Sequence, residues 1–168
     1  GPETEPAANT LLGVLYAAWL PGFAILLHAL PDGAALVLFL VGVTWTGESA
    51  AYVVGSAIGR RPLAPVLSPR KTVEGAVAQV LVSVGAAAVL GAWLLPGCGA
   101  AGLLAAGALL GVVGQVGDLV ESAVKRSAGV KDAGSLIPGH GGVLDRLDSL
   151  LFNVPAFYYY WMALRCAA

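Results

Sequence analysis

Asp118, Glu121, Ser122 and Lys125 fall at i, i+3, i+4 and i+7, a spacing that lays two carboxylates, a hydroxyl and an ammonium along one face of a helix. Alone, they would make a solvated helix end with a Glu–Lys pair, which contributes little. A second stretch, Lys131-Asp132-Ala133-Gly134-Ser135-Leu136-Ile137-Pro138-Gly139-His140-Gly141-Gly142, runs directly into Val143-Leu144-Asp145-Arg146-Leu147-Asp148. Its glycines let the backbone come close to a ligand and turn N–H groups toward phosphate oxygens. A flexible linker seldom combines Lys, Asp and His with a following Asp-Arg-Leu-Asp in so few residues. Asp145 and Asp148, three apart, share one helical face. A third place joins Glu48 to Ser68-Pro69-Arg70-Lys71-Thr72-Val73-Glu74-Gly75, where two cations and two hydroxyls suit a triphosphate or a lipid phosphate. Glu48 is read as a site carboxylate, with a hydrogen-bonding group between helices as the alternative, and His28, in an apolar stretch, reads as structural.

Phosphate chemistry beside several carboxylates needs a counter-charge, and hard oxygen ligands select Mg²⁺ or a similar cation. If the helices that carry Asp118 and Asp145 pack together, their carboxylates can hold one metal or bridge two. Lys125, Arg126, Lys131 and Arg146 would then neutralise the oxygens that the metal does not reach.

These groups need elements to hold them, and the composition says of what kind. The 168 residues are 58% apolar and only 11% charged, with a mean hydropathy of +0.82. Soluble domains carry about 25% charged residues, so much of this surface must face lipid. Gly75 to Leu95 and Gly99 to Gly117 contain no charge, and each approaches the ~20 residues that cross a hydrocarbon layer. Leu11 to Leu30, interrupted by Pro21, Ala34 to Gly59, which holds Glu48, and Ser149 to Leu164 complete a set of about five spans. The run Tyr158-Tyr159-Tyr160-Trp161 suits an interfacial anchor. Pro31-Asp32-Gly33 and Pro96-Gly97-Cys98 read as turns. The expected fold is therefore all-α, a polytopic membrane helix bundle over 11–168, behind a polar tail at 1–10 in which Gly1-Pro2 reads as a cleavage scar.

Five spans put the connections Arg60 to Glu74 and Ser122 to Asp148 on one side. Of the nine Lys and Arg residues, all but Arg165 fall in those two connections. The positive-inside rule makes that side, and the active site, cytoplasmic, with the amino terminus inside and the carboxyl terminus outside. A net charge of −1 provides no global field for nucleic acid. Cys98 and Cys166 read as thiols at apolar sites rather than as a disulfide. The Gly and Ala residues of Gly99 to Gly117, read as membrane-facing, would allow close helix packing, as in a homodimer.

Taken together, Ser122-x-x-Lys125-Arg126-x4-Lys131-Asp132-x-Gly134-x-x-Ile137-Pro138-x-His140-Gly141-Gly142-x-x-Asp145-Arg146-x-Asp148 resembles the signature of the phosphatidate cytidylyltransferases, the CDP-diacylglycerol synthases. The resemblance continues through Gly117-Asp118-Leu119-x-Glu121, Ser68 to Gly75, and Glu48-Ser49-Ala50-Ala51-Tyr52-x-x-Gly55, and so covers the chain from about Leu11. It implies that CTP and phosphatidate give CDP-diacylglycerol and pyrophosphate in a Mg²⁺-dependent reaction at the cell membrane, with membrane lipids as partners. It implies Asp118 and Asp145 as metal ligands of a two-cation site, the second ion divalent or K⁺, with Lys125 and Asp148 also catalytic. Arg126, Lys131 and Arg146 would contact phosphates. Asp132 and His140 would shape the loop or the nucleotide pocket. Ser68, Lys71, Thr72, Glu74, Glu121, Ser122 and Glu48 would complete the substrate site. Glu48 stands where the family usually has Asp, and bacterial members are usually longer by several amino-terminal spans. Close rivals are a CDP-archaeol synthase and a CTP-dependent polyprenol kinase, against which the His-Gly-Gly-x-x-Asp-Arg-x-Asp segment favours the diacylglycerol enzyme. An ion transporter would spread polar groups through its spans, and a scaffold fragment would bind no CTP.

Overall fold

The computed structural model describes residues 11, 13–127 and 144–164, the side chains of 17 and 144–146 excepted. A π-helical turn, Leu15–Trp19, runs into α1, Leu20–His28. Pro21 has no N–H to give the carbonyl four residues back, and the widened turn just before it is where the helix absorbs that loss. There follow α2 (Gly33–Ile58), a hairpin of β1 (Pro62–Ala64) and β2 (Ser68–Thr72), α3 (Val73–Leu94), α4 (Ala100–Ser127) and α5 (Leu144–Leu164).

Three of these, α2, α3 and α4, are long and apolar enough to cross a membrane, and the chain is an integral membrane protein. The other two expected spans correspond to α1 with its π turn and to α5, which are shorter or carry more polar groups. The outer faces are apolar: Ile25 is 75% exposed and Trp93 78% exposed, as lipid-facing side chains are. Among the described residues, the one departure from an all-helical reading is the connection between α2 and α3, where β1 and β2 pair antiparallel, Pro62 opposite Thr72 and Ala64 opposite Ser68.

Two interactions fix how that hairpin meets α3. The Thr72 hydroxyl accepts a hydrogen bond from the Gly75 N–H at 3.2 Å, capping the helix. The Glu74 carboxylate accepts from the Arg60 and Arg61 N–H groups at 3.0 and 3.3 Å. Glu74 thus ties the start of the connection to its end.

The bundle is layered along its axis. At the end holding the turns near Pro31 and Pro96, Leu27, Leu36, Phe39, Leu103 and Phe157 form an apolar core, with the Phe39 and Phe157 rings stacked 5.4 Å apart. Midway lies a buried polar layer of Thr44, Gln79, Ser83 and Asn153, in which the Asn153 amide donates to the Thr44 hydroxyl at 2.9 Å. The hairpin, the carboxyl end of α4 and the amino end of α5 lie at the opposite end. Small residues on α4 permit this closeness. A Cβ on Gly107 would sit 2.7 Å from the Ser83 carbonyl oxygen and 2.8 Å from Val84 Cα, so α3 can approach only where α4 has no side chain. The glycines expected to face the membrane are instead buried along this stretch, where Gly107, Gly111, Gly114 and Gly117 lie against helices of the same chain.

Candidate active site

Helical spacing brings Asp118 and Glu121 to one face of α4, and α5 closes on that face at Asp148. Gly117 allows the approach, since a Cβ there would meet the Asp148 carbonyl oxygen at 3.1 Å and the Phe152 ring at 3.1 Å. Asp118, Glu121 and Asp148 each offer a carboxylate oxygen, all within 4.8 Å of one another. Glu121 is 1% exposed. Like charges at such a separation repel by roughly 3 kcal/mol per pair at an effective dielectric of about 20, so the cluster needs compensation.

Part of it comes from lysines on two elements. Lys125, one turn along α4, pairs with Glu121 at 2.7 Å. Lys71, reaching in from β2, forms an ion pair with Asp118. Among the described residues, these two ammonium groups leave three carboxylates under-neutralised, and Glu48 on α2 adds another acid within electrostatic reach of Asp118 and Lys71. All-carboxylate donors in this geometry can hold a metal ion, and their hardness suits Mg²⁺-like cations. Asp148 is oriented by the Ser149 N–H, which donates to its Oδ1 at 2.7 Å, and the Ser149 hydroxyl lies within reach of Glu48.

Beside the cluster opens a cavity of about 550 Å³ between α2, the hairpin, α3 and α4. Glu48, Tyr52, Arg70, Lys71, Thr72, Gln79, Gln115 and Asp118 are among its lining residues. Asp118 belongs to both cluster and cavity, so anything held by the carboxylates is presented to a ligand in the cavity.

Of the residues singled out by type and spacing, Asp118, Glu121, Lys125, Asp148, Lys71 and Glu48 come together here. Thr72 lines the cavity while capping α3, and Glu74 is engaged with backbone N–H groups of the hairpin. Ser68 pairs with Ala64 in the hairpin and is not among the cavity's lining residues. Ser122 and Arg126 follow on α4. Asp145 and Arg146 occupy the first turn of α5, but their side chains, and all of Lys131, Asp132 and His140, lie outside the described residues. The expected pairing of Asp118 with Asp145 therefore falls partly outside them, and among the described residues Asp118 is grouped with Glu121 and Asp148.

Gln115, Ser149 and Tyr16 were not anticipated. Gln115 donates from its amide to the Ala76 carbonyl at 2.8 Å, which fixes it at the cavity wall. A polar residue in an uncharged span, three before Asp118, was a usable signal.

A model of the cytidylyltransferase family matches residues 3–164. Among curated proteins, the chain is 43% identical over 151 residues to an uncharacterized protein, YnbB, of Escherichia coli, covering 90% of this chain and 50% of that one. It is 46% identical over 132 residues to a phosphatidate cytidylyltransferase of Synechocystis sp., covering 77% of this chain and 44% of the relative. With the phosphatidate cytidylyltransferase of Bacillus subtilis the identity is 42% over 132 residues, 79% of this chain and 49% of the relative. The chain spans about half the length of the curated relatives it matches.

Proposed function

The chain belongs to the cytidylyltransferase family, and on that premise we propose that it carries the active site for cytidylyl transfer from CTP to phosphatidate, yielding CDP-diacylglycerol and pyrophosphate. The observation that carries this reading is the convergence of Asp118, Glu121 and Asp148 with Lys71 beside a cavity at one end of an apolar bundle. A nucleotide can arrive there from water and a lipid headgroup from the bilayer.

In this reaction an oxygen of the lipid phosphate attacks the α-phosphorus of CTP in line as the bond to pyrophosphate breaks. Little covalent work falls to the protein, so positioning and charge stabilisation dominate. A Mg²⁺ ion bound by the acid cluster would draw off negative charge from the phosphates and fix their orientation; a second ion, divalent or K⁺, would share the load. The chain's own groups do the rest. Lys71, paired with Asp118, can release that carboxylate to a cation and turn to a phosphate oxygen. Lys125, paired with the nearly inaccessible Glu121, supplies a counter-charge to that carboxylate. Gln115 and Thr72 shape the cavity wall, and Glu74 holds the hairpin so that Lys71 keeps its aim.

Asp145 would extend the ligand set from the turn before Asp148. Arg126, Lys131 and Arg146 would meet phosphate oxygens, and Ser122, Asp132 and His140 would line the nucleotide's approach. The concentration of Lys and Arg in the two connections supports a cytoplasmic orientation for this end.

The experiment is transfer of radiolabelled CTP in lipid–detergent micelles, with phosphatidate and an ether-linked isoprenoid phosphate compared as acceptors. Labelled CDP-diacylglycerol is the expected product. Label only on the isoprenoid lipid would assign a different lipid substrate, and no CTP binding at all would dismiss the reading.

A further inference from the structure

Tyr16 lies in the π-helical turn Leu15–Trp19, a kind of widened turn often found at functional sites. Its ring packs on Phe152, with centroids 6.1 Å apart and planes tilted by 59°. Phe152 is one turn beyond Asp148 on α5, so this contact lays the phenol alongside the carboxylates. The residue is 8% exposed, and its hydroxyl is buried with no hydrogen-bond partner among the described residues. The charges of Glu121, Asp148 and Asp118 all bear on it. Packing alone would be served by phenylalanine, whereas a buried hydroxyl without a partner is costly. Its environment therefore points to an oxygen that arrives with a ligand. The side of approach is also distinct. The cavity is walled by α2, the hairpin, α3 and α4, while Tyr16 comes from the amino-terminal helix across α5.

We propose that the Tyr16 hydroxyl is a hydrogen-bond donor to an oxygen carried into the acid cluster by the divalent cation, either a cation-bound water or a phosphate oxygen of the nucleotide. A protonated phenol is a poor ligand for a hard cation but a good donor to an oxygen that the cation polarises. Tyr16 would close the cluster on the side opposite Lys71 and make the amino-terminal helix part of the site. The proposal rests on reading Asp118, Glu121 and Asp148 as a cation site.

The test uses the purified chain in detergent with Mn²⁺ as the probe, free Mn²⁺ being followed by electron paramagnetic resonance. Wild type, Tyr16→Phe and Asp118→Asn are titrated with Mn²⁺ alone, and radiolabelled CTP binding is then measured at saturating Mn²⁺. Loss of one donated hydrogen bond should raise a dissociation constant by about 3- to 10-fold. A shift for Tyr16→Phe in the Mn²⁺ titration assigns the bound water, and a shift in CTP binding alone assigns the phosphate. Melting of ligand-free Tyr16→Phe should match or exceed wild type, since no existing hydrogen bond is removed and a buried unsatisfied hydroxyl is. Wild-type constants in both arms, or a lowered melting temperature with unchanged constants, would overturn the proposal. If Asp118→Asn binds Mn²⁺ as wild type does, the cation site itself is withdrawn, and the role of Tyr16 goes with it.

Discussion

Substituting Gly117→Ala should impair divalent-cation use without touching any group that ligates or reacts. The added methyl would lie 3.1 Å from the Asp148 carbonyl oxygen, 3.1 Å from Phe152 Cδ2 and 3.2 Å from Phe152 Cβ. Non-bonded carbons settle at about 3.5–4.0 Å, so α5 has to retreat by roughly 0.4 Å. Cation sites tolerate ligand displacements of about 0.2 Å around Mg–O distances near 2.1 Å, and Asp148 moves with its backbone. The three carboxylates would then no longer reach one ion together. A tenfold loss of cation affinity corresponds to about 1.4 kcal/mol, within the ~1–3 kcal/mol that overpacking a close contact costs. The gain in helix propensity from Gly to Ala, up to about 1 kcal/mol, keeps the variant folded. In the radiolabelled CTP assay, the Mg²⁺ concentration for half-maximal turnover should rise about tenfold. Gly85→Ala, whose methyl meets nothing within 4 Å, should behave as wild type. A Gly117→Ala protein with a wild-type Mg²⁺ requirement would refute the reasoning that helix approach at this point sets the cluster.

Other outcomes follow from the same geometry. Lys71→Met removes the partner of Asp118 and, with it, the phosphate contact proposed for Lys71, so KM for CTP should rise roughly tenfold or more while Mn²⁺ binds at least as tightly as before, both read by titration. Thr72→Ala deletes the cap on the Gly75 N–H and should lower stability by about 1 kcal/mol, seen as a reduced melting temperature in detergent. Asn153→Ala leaves the Thr44 hydroxyl without its donor in the buried middle layer, and chemical denaturation should register a loss of about 1–3 kcal/mol with little change in KM.

How much of this could be read along the chain depended on the range of each interaction. The helical spans announced themselves because lipid demands long uncharged runs, and Gly75 to Leu95 has no other stable state in a bilayer. Asp118 and Glu121 were visible as a pair because three residues along a helix is a local distance. The partner expected across the helices was Asp145, on the condition that α4 meets α5; among the described residues it is Asp148 that joins them, and what brings those helices together is a missing side chain at Gly117. Glu74 shows the opposite limit. The family resemblance implied it as part of the substrate site, and the hydrogen bonds its carboxylate accepts from the Arg60 and Arg61 N–H groups are ones that form only once β1 and β2 have paired. Nothing in an otherwise helical pattern signalled that hairpin, whose strands are three and five residues long. Tyr16 was invisible for a related reason. In sequence it is an aromatic in an apolar run, and only the packing of the first helix on Phe152 brings it beside carboxylates a hundred residues away.

The most direct test is anomalous diffraction from Mn²⁺-soaked crystals of the protein with CTP bound. The account predicts a Mn²⁺ peak between Asp118, Glu121 and Asp148, with nucleotide phosphates extending from it into the cavity beside Lys71. A cation bound elsewhere, or phosphates seated away from this cluster, would contradict it.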